Sequence, residues 1–299
     1  LLSSFTINGF YETLRVKMSE HQIDGNIHVG AYNQYNQEIL KNNSELYNFK
    51  PNLTFLMIDT RTILGEIFYS PYSISAEERK KNIEKKFLEL KNLINIFLNK
   101  SNSKLIITNL HVPTYSPYGL YETKTEYGFH FMVSDFNKKL ETEFLKNDSV
   151  YIFNFNQFVS KYGNDNIFNI KQFLFGDIKI SLDYIPFLAD EFLNYILASL
   201  GLSKRCIVLD LDNTLWGGVV GEDGFDGIQL GSNPQGNAYV EFQKHLLALN
   251  QRGILLAINS KNNLEDALKV IDDHPNMILR RNNFSCLKIN WNDKVSNMK

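Results

Sequence analysis

With only two cysteines, Cys206 and Cys286, in 299 residues, the chain has no disulfide framework, and the spacing of the pair matches no zinc motif. Both read as reduced thiols. Charge of one sign is also missing: 31 basic residues stand against 33 acidic ones for a net charge of -2, which excludes a broad polyanion-binding surface and a solvating acidic tail. Nucleic acid is therefore not an expected partner. No apolar run reaches the roughly 18 residues needed to cross a bilayer, and the opening LLSSFTINGFYETL lacks a basic segment followed by an apolar one. No membrane partner is expected, and the reading is of a soluble, cytoplasmic protein. Internal repeats, low-complexity tracts and long linkers are absent too. The chain begins on Leu1 rather than Met and stops in the polar stretch NDKVSNMK, so both ends read as cut.

What is present is an alternation of strand and helix signals. The runs LTFLMID from Leu53, SKLIITNL from Ser103 and VYIFNF from Val150 read as buried strands. Between the first two, Ser75 and Glu78 form a capping box, and Ile83, Phe87, Leu90, Ile94 and Phe97 recur at helical spacing. A second helix is expected over Phe136 to Lys146, and a third from Pro186 to Gly201. Such alternation implies right-handed crossovers and a parallel sheet with helices on both faces. Residues 1–200 are read as one doubly wound α/β domain. The pattern restarts at RCIVLDLD, followed by a helix closed by Gly253, the strand ILLAINS, a helix with Asn263 and Asp266 as a cap pair, and MILRR as a third strand. Residues 201–299 are read as part of a second Rossmann-like domain, with Cys206 buried early in its first strand.

That first strand runs IVLDLDNTLWGG and ends on two acids, Asp210 and Asp212. Isolated carboxylates are costly to desolvate, and open parallel sheets bind ligands beyond the carboxyl ends of their strands. Alternation along the backbone points both acids to one side, with Leu211 opposite. A carboxylate can attack phosphorus, but two unit like charges about 4 Å apart repel by about 4 kcal/mol at an effective dielectric of about 20. A cation is needed. Mg²⁺ held by carboxylate and phosphate oxygens supplies it, with a lysine. The second acid can protonate the leaving oxygen and then deprotonate water. Ser260 ends the next strand, and Lys288 and Lys294 follow in KINWNDK.

In this order, DLDNT, a strand ending in Ser260 and then Lys294 resemble the first three motifs of the haloacid dehalogenase (HAD) superfamily of phosphotransferases. VLDLDNTLWGGVVGEDG with SKNN and INWNDK resembles, more specifically, its FkbH-like subfamily, whose members carry an amino-terminal domain related to the SGNH hydrolases. The resemblance implies a Mg²⁺-dependent phosphohydrolase or phosphotransferase acting on a small phosphorylated metabolite through an aspartyl phosphate. It makes Asp210 the nucleophile and Asp212 the general acid/base. Asp210 and Asp212 become the metal ligands, the latter through its carbonyl; Ser260, Lys261 and Asn262 become the phosphate cradle; Lys294 steadies nucleophile and phosphoryl group. The superfamily's fourth motif, an acidic pair, should follow Lys294, so the second domain is expected to be incomplete and this stretch of chain inactive by itself; Asp272 and Asp273 come too early and on a helix. A rival from the same subfamily loads a phosphoglycerate-derived glyceryl group onto an acyl carrier protein through a cysteine thioester, yet Asn259 stands where that cysteine is expected. A third reading is a non-catalytic binding scaffold. Trp216, Gly217 and Gly218 read either as a mobile flap or as a Trp buried on the helix beneath, and GEDGFDG as a polar turn.

For the first domain, the SGNH resemblance implies a serine after the first strand, where Ser3 and Ser4 fall, and a late Asp and His. His111 and His130 come too early, while Asp177 and Asp183 have no histidine beside them. Serine without a positioned base is a weak nucleophile. The expectation is a non-catalytic domain that shapes the phosphatase site or presents its own groove, with Ser4 as a helix cap and His111 as a turn residue before Pro113.

Overall fold

Apolar runs bounded by turn residues become parallel strands in both halves of the chain. The computed structural model describes residues 1–298, in two units, Leu1–Ser199 and Leu200–Lys299. In the first unit β1 (Leu2–Ser3), β2 (Leu53–Met57), β3 (Lys104–Thr108) and β4 (Val150–Phe153) form an all-parallel sheet in the order β1-β2-β3-β4. Successive strand residues face opposite sides, which explains why the runs are apolar throughout rather than alternating. Leu56, Leu105 and Ile107 join one core with Ile83, Phe87 and Phe136 of the helices Ala76–Lys100 and Phe129–Phe144. Phe55, Met57 and Ile106 join the other with Phe10, Leu14 and Phe192 of the helices Phe10–Glu20 and Ile185–Ser199. Phe192 stacks on Phe55 at 4.4 Å and meets Phe10 edge-on at 5.1 Å. Such pairs contribute about 0.5–1.5 kcal/mol each beyond area burial.

The Ser75 and Glu78 capping box forms as expected. The helix expected from Phe136 instead begins at Phe129, because Phe129, Met132 and Val133 extend its buried stripe towards Gly128.

In the second unit β5 (Cys206–Leu209), β6 (Leu255–Ser260) and β7 (Phe284–Ile289) are parallel, in the order β5-β6-β7. The crossover helices Pro234–Gln251 and Leu264–Asp273 share a single core with the sheet. Cys206, Val208, Leu255 and Cys286 are exposed, so Cys206 is not buried as its apolar neighbours suggested. The third strand is FSCLKI, not MILRR. Met277 and Leu279 are buried, but the N–H groups of Ile278 and Leu279 donate to the Gln243 side chain at 2.8 and 3.1 Å rather than to a strand. The stretch GEDGFDG is not a plain turn either: it lies in the helix Val220–Gly227, kinked at Gly224. Among the described residues no helix is long and apolar enough to cross a membrane.

Candidate active site

Beyond Leu209 the β5 backbone leaves the sheet, and Asp210 is the first residue past its end. One Asp210 oxygen accepts from the Leu211 N–H at 2.9 Å, and the other lies 2.5 Å from the Lys294 ammonium. Burial pushes the Asp210 carboxyl up, but hydrogen bonds from Lys294 and Ser260 outweigh it and hold the group below the usual carboxylate range. Both side chains of the pair remain 40% exposed, so the carboxylate is ionised and open to a ligand.

Asp212 is held more tightly. Its Oδ1 accepts from the Trp216 indole N–H at 2.8 Å and the Val220 N–H at 3.2 Å, and its Oδ2 accepts from Asn262 at 2.8 Å. Leu211 between the acids is fully buried, so the expected alternation is present. The turn that follows needs left-handed backbone. Asn213 adopts φ 56° and accepts from the Gly218 N–H, and Gly218 adopts φ 92°, where a Cβ would come within 2.5 Å of an Asp223 oxygen. Trp216 is fully buried, which settles the choice between core residue and flap in favour of the core.

Ser260 ends β6 and is buried beside Asp210. Asn262 is buried with its amide on Asp212, whereas Lys261 is exposed. Lys294 opens the helix Lys294–Met298, while Lys288 is an exposed residue of β7. Six residues singled out in sequence thus fall at or beside the carboxyl ends of β5 and β6 and in the segment after β7.

Two further residues organise the site. Asn259 donates to the Lys294 carbonyl at 2.9 Å and accepts from Asn297, which ties the lysine-bearing helix to β6. Gln243, fully buried, donates to the Leu215 carbonyl at 2.6 Å and accepts from Ile278 and Leu279, so it joins the acid-pair loop to the segment before β7. Its sequence signal is a polar residue on the buried face of its helix, three before Leu246.

Carboxylate and carbonyl oxygens are the donors that Mg²⁺ takes, usually only one or two from protein, with water and phosphate completing its shell. The only cluster of three ligating side chains among the described residues, His28, Glu38 and Glu45, belongs to the first unit. Asp210 and Asp212 fit Mg²⁺ as a sparse, open site.

The serine position of the first unit is arranged differently from an esterase. Ser4 is no helix cap: its hydroxyl accepts from the Asp59 N–H at 2.8 Å. Asp59 is bound to Arg61 and Lys179, not to a histidine. His111 is a cavity residue, and burial, reinforced by the charge of Lys179, pushes its imidazole down to about 3. So weak a base does not activate a hydroxyl. The protein is expected to leave short acyl esters such as p-nitrophenyl acetate at the uncatalysed rate; turnover that Ser4→Ala abolishes would overturn this.

A parallel α/β unit with a strand-end carboxylate paired to a lysine defines the class of protein to which the second half belongs. The profile of the FkbH N-terminal domain matches residues 7–197, and the chain belongs to the FkbH family. It is similar to the crystal structure of the N-terminal part of the protein BF1531 from Bacteroides fragilis, described as containing a phosphatase domain and complexed with Mg. The TM-score is 0.87 at 26% identity, covering 99% of this chain and 77% of that one. No curated protein matches the chain.

Proposed function

We propose that the second unit is a Mg²⁺-dependent, HAD-type phosphohydrolase or phosphotransferase that acts on a small phosphorylated metabolite through an aspartyl phosphate. The observation that carries this reading is the Asp210 carboxylate at the mouth of β5, held ionised against Lys294. The Mg²⁺ of the Bacteroides fragilis phosphatase-domain structure supports it. Here Asp210 and the Asp212 carbonyl would hold the ion, which when bound offsets the charge of the phosphoryl oxygens.

An Asp210 oxygen attacks phosphorus, forming an acyl phosphate as the bond to the leaving oxygen breaks. Lys294 stands beside that oxygen and receives the charge on the phosphoryl group. The Ser260 hydroxyl, at the end of the adjacent strand, donates to the same group. Asp212 protonates the leaving oxygen and takes a proton back from the water that opens the acyl phosphate. Three hydrogen bonds fix its orientation, and Oδ2, which accepts only from Asn262, keeps a lone-pair direction free. Asn262 therefore serves as a positioning residue for Asp212 as well as a neighbour of the phosphate.

Glyceryl transfer to an acyl carrier protein is less well supported. Asn259, at the cysteine position, bonds the Lys294 carbonyl, and the exposed thiols lie away from the carboxyl ends of the strands, Cys206 at the start of β5 and Cys286 in the middle of β7. The test is hydrolysis of p-nitrophenyl phosphate by the full-length protein: turnover is expected with Mg²⁺, with loss on chelation by EDTA and return on re-addition. Turnover indifferent to EDTA would refute the reading.

A further inference from the structure

The first unit contains a cavity of about 450 Å³ that the phosphatase reading does not use. It lies past the carboxyl ends of the strands: Asp59 and Arg61 follow β2, His111 follows β3, and Lys179 comes from the segment after β4. Parallel sheets bind ligands at this end, and the volume falls within the range of small-molecule sites.

Its charges are unequal. The single Asp59 carboxylate accepts from the Arg61 Nε and Nη2 at 3.2 and 2.8 Å and from the Lys179 ammonium at 3.0 Å. One buried anion thus faces two cations, the buried Lys179 and the part-exposed Arg61; among the described residues the only other carboxylate acting on Lys179 is Asp177, which is half-buried and already accepts from the Tyr32 hydroxyl. A purely structural pair needs only one, and each additional buried ion costs several kcal/mol, on the order of what a well-made hydrogen-bonded pair returns. Arg61 Nη1 donates to no protein acceptor among the described residues, and Lys179, with three N–H bonds, donates to Asp59 alone. The guanidinium is pre-oriented by the Phe173 ring, 3.5 Å away. His111 adds no positive charge at neutral pH. Asp165 lines the cavity, but it is exposed and its charge is screened by water. Phe168, Ile170 and Phe173 supply an apolar wall.

We propose that this cavity binds a small organic oxyanion, a carboxylate or a phosphate monoester, with the anionic head on Arg61 and Lys179 and an apolar body against Phe168, Ile170 and Phe173. The site is independent of the acid pair in the second unit.

Calorimetric titration of the whole chain, in Mg²⁺-free buffer, with benzoate and with phenyl phosphate tests the assignment. Saturable binding of at least one probe is expected, one site per chain. The tighter of the two identifies the head group as carboxylate or phosphate. Arg61→Gln should weaken binding at least tenfold, and Lys80→Gln, exposed on the helix Ala76–Lys100 and outside the cavity, should leave it unchanged. Should Arg61→Gln fail to fold, Phe173→Ala should still weaken binding at least threefold, while Phe175→Ala, on the same helix but 92% exposed and outside the cavity, should not. Absence of saturable binding by both probes overturns the proposal. So does binding lost in Ser260→Ala, in the other unit, and kept in Arg61→Gln, or kept unchanged in Phe173→Ala.

Discussion

In the full-length protein Asp210→Asn should lower Mg²⁺-dependent hydrolysis of p-nitrophenyl phosphate by roughly 10³-fold or more. An amide matches the carboxylate in size but presents no anionic oxygen to phosphorus. The fold should persist, because the Asp210 and Lys294 side chains are 40% exposed and exposed ion pairs contribute only about 0–1 kcal/mol. A thermal melt close to that of the unaltered protein is therefore part of the expected result. The variant also separates two roles of the residue. If Asp210 served only to hold the cation, raising Mg²⁺ should restore much of the rate by mass action. If it is the nucleophile, no Mg²⁺ concentration restores it. Recovery at high Mg²⁺, or activity near that of the unaltered protein, would remove Asp210 from the nucleophilic role.

The acid pair was legible in sequence because its chemistry is local: an apolar strand, two acids one residue apart, and a turn-forming Asn213 whose left-handed φ the structure contains. The long helix was legible for the same reason, since its capping box and apolar stripe lie within one segment. What escaped depends on partners far along the chain. MILRR has a strand's apolar content, but Gln243, 35 residues away from Ile278, takes its backbone donors. FSCLKI carries only a weak strand signal, because exposed residues, Ser285, Cys286 and Lys288, fall among its buried ones. In sequence Asn259 marks only the absence of a thiol; its bond to the Lys294 carbonyl depends on how a helix after β7 returns to β6. Lys179 carries no signal in the sequence, since a lone lysine reads as solvated, yet it is among the most buried charged groups of the chain.

That burial makes Lys179→Met strongly destabilising for the first unit. Lys179 and Asp59 have side chains only 7% and 6% exposed, 3.0 Å apart. Breaking such a pair from one side costs about 3–5 kcal/mol, and since Arg61 remains on Asp59 the lower end, about 3 kcal/mol, is expected. For a unit of this size that lowers Tm by about 6–12 °C. The dependence on pH follows from Asp59. Burial opposes its ionisation, but Lys179 and Arg61 prevail and hold its carboxyl far below the ordinary range. A carboxyl depressed on folding stabilises fully above its unfolded value, near 3.9, and the stabilisation is lost as pH falls through the folded value. With the ammonium gone, burial opposes one cation instead of two, the folded value rises, and the Asp59 contribution that acid can remove becomes smaller. Urea midpoints measured from pH 7 downwards should therefore converge as acid is added, because the unaltered protein loses the larger Asp59 contribution and the variant has less of it to lose. Adding Asp59→Asn should restore part of the midpoint at pH 7, because the carboxylate left with one cation is the source of the instability. A Lys179→Met variant that melts within about 2 °C of the unaltered protein, with a parallel pH profile, would show that the ammonium contributes nothing to the folded state. Its place in the cavity would then rest on binding alone.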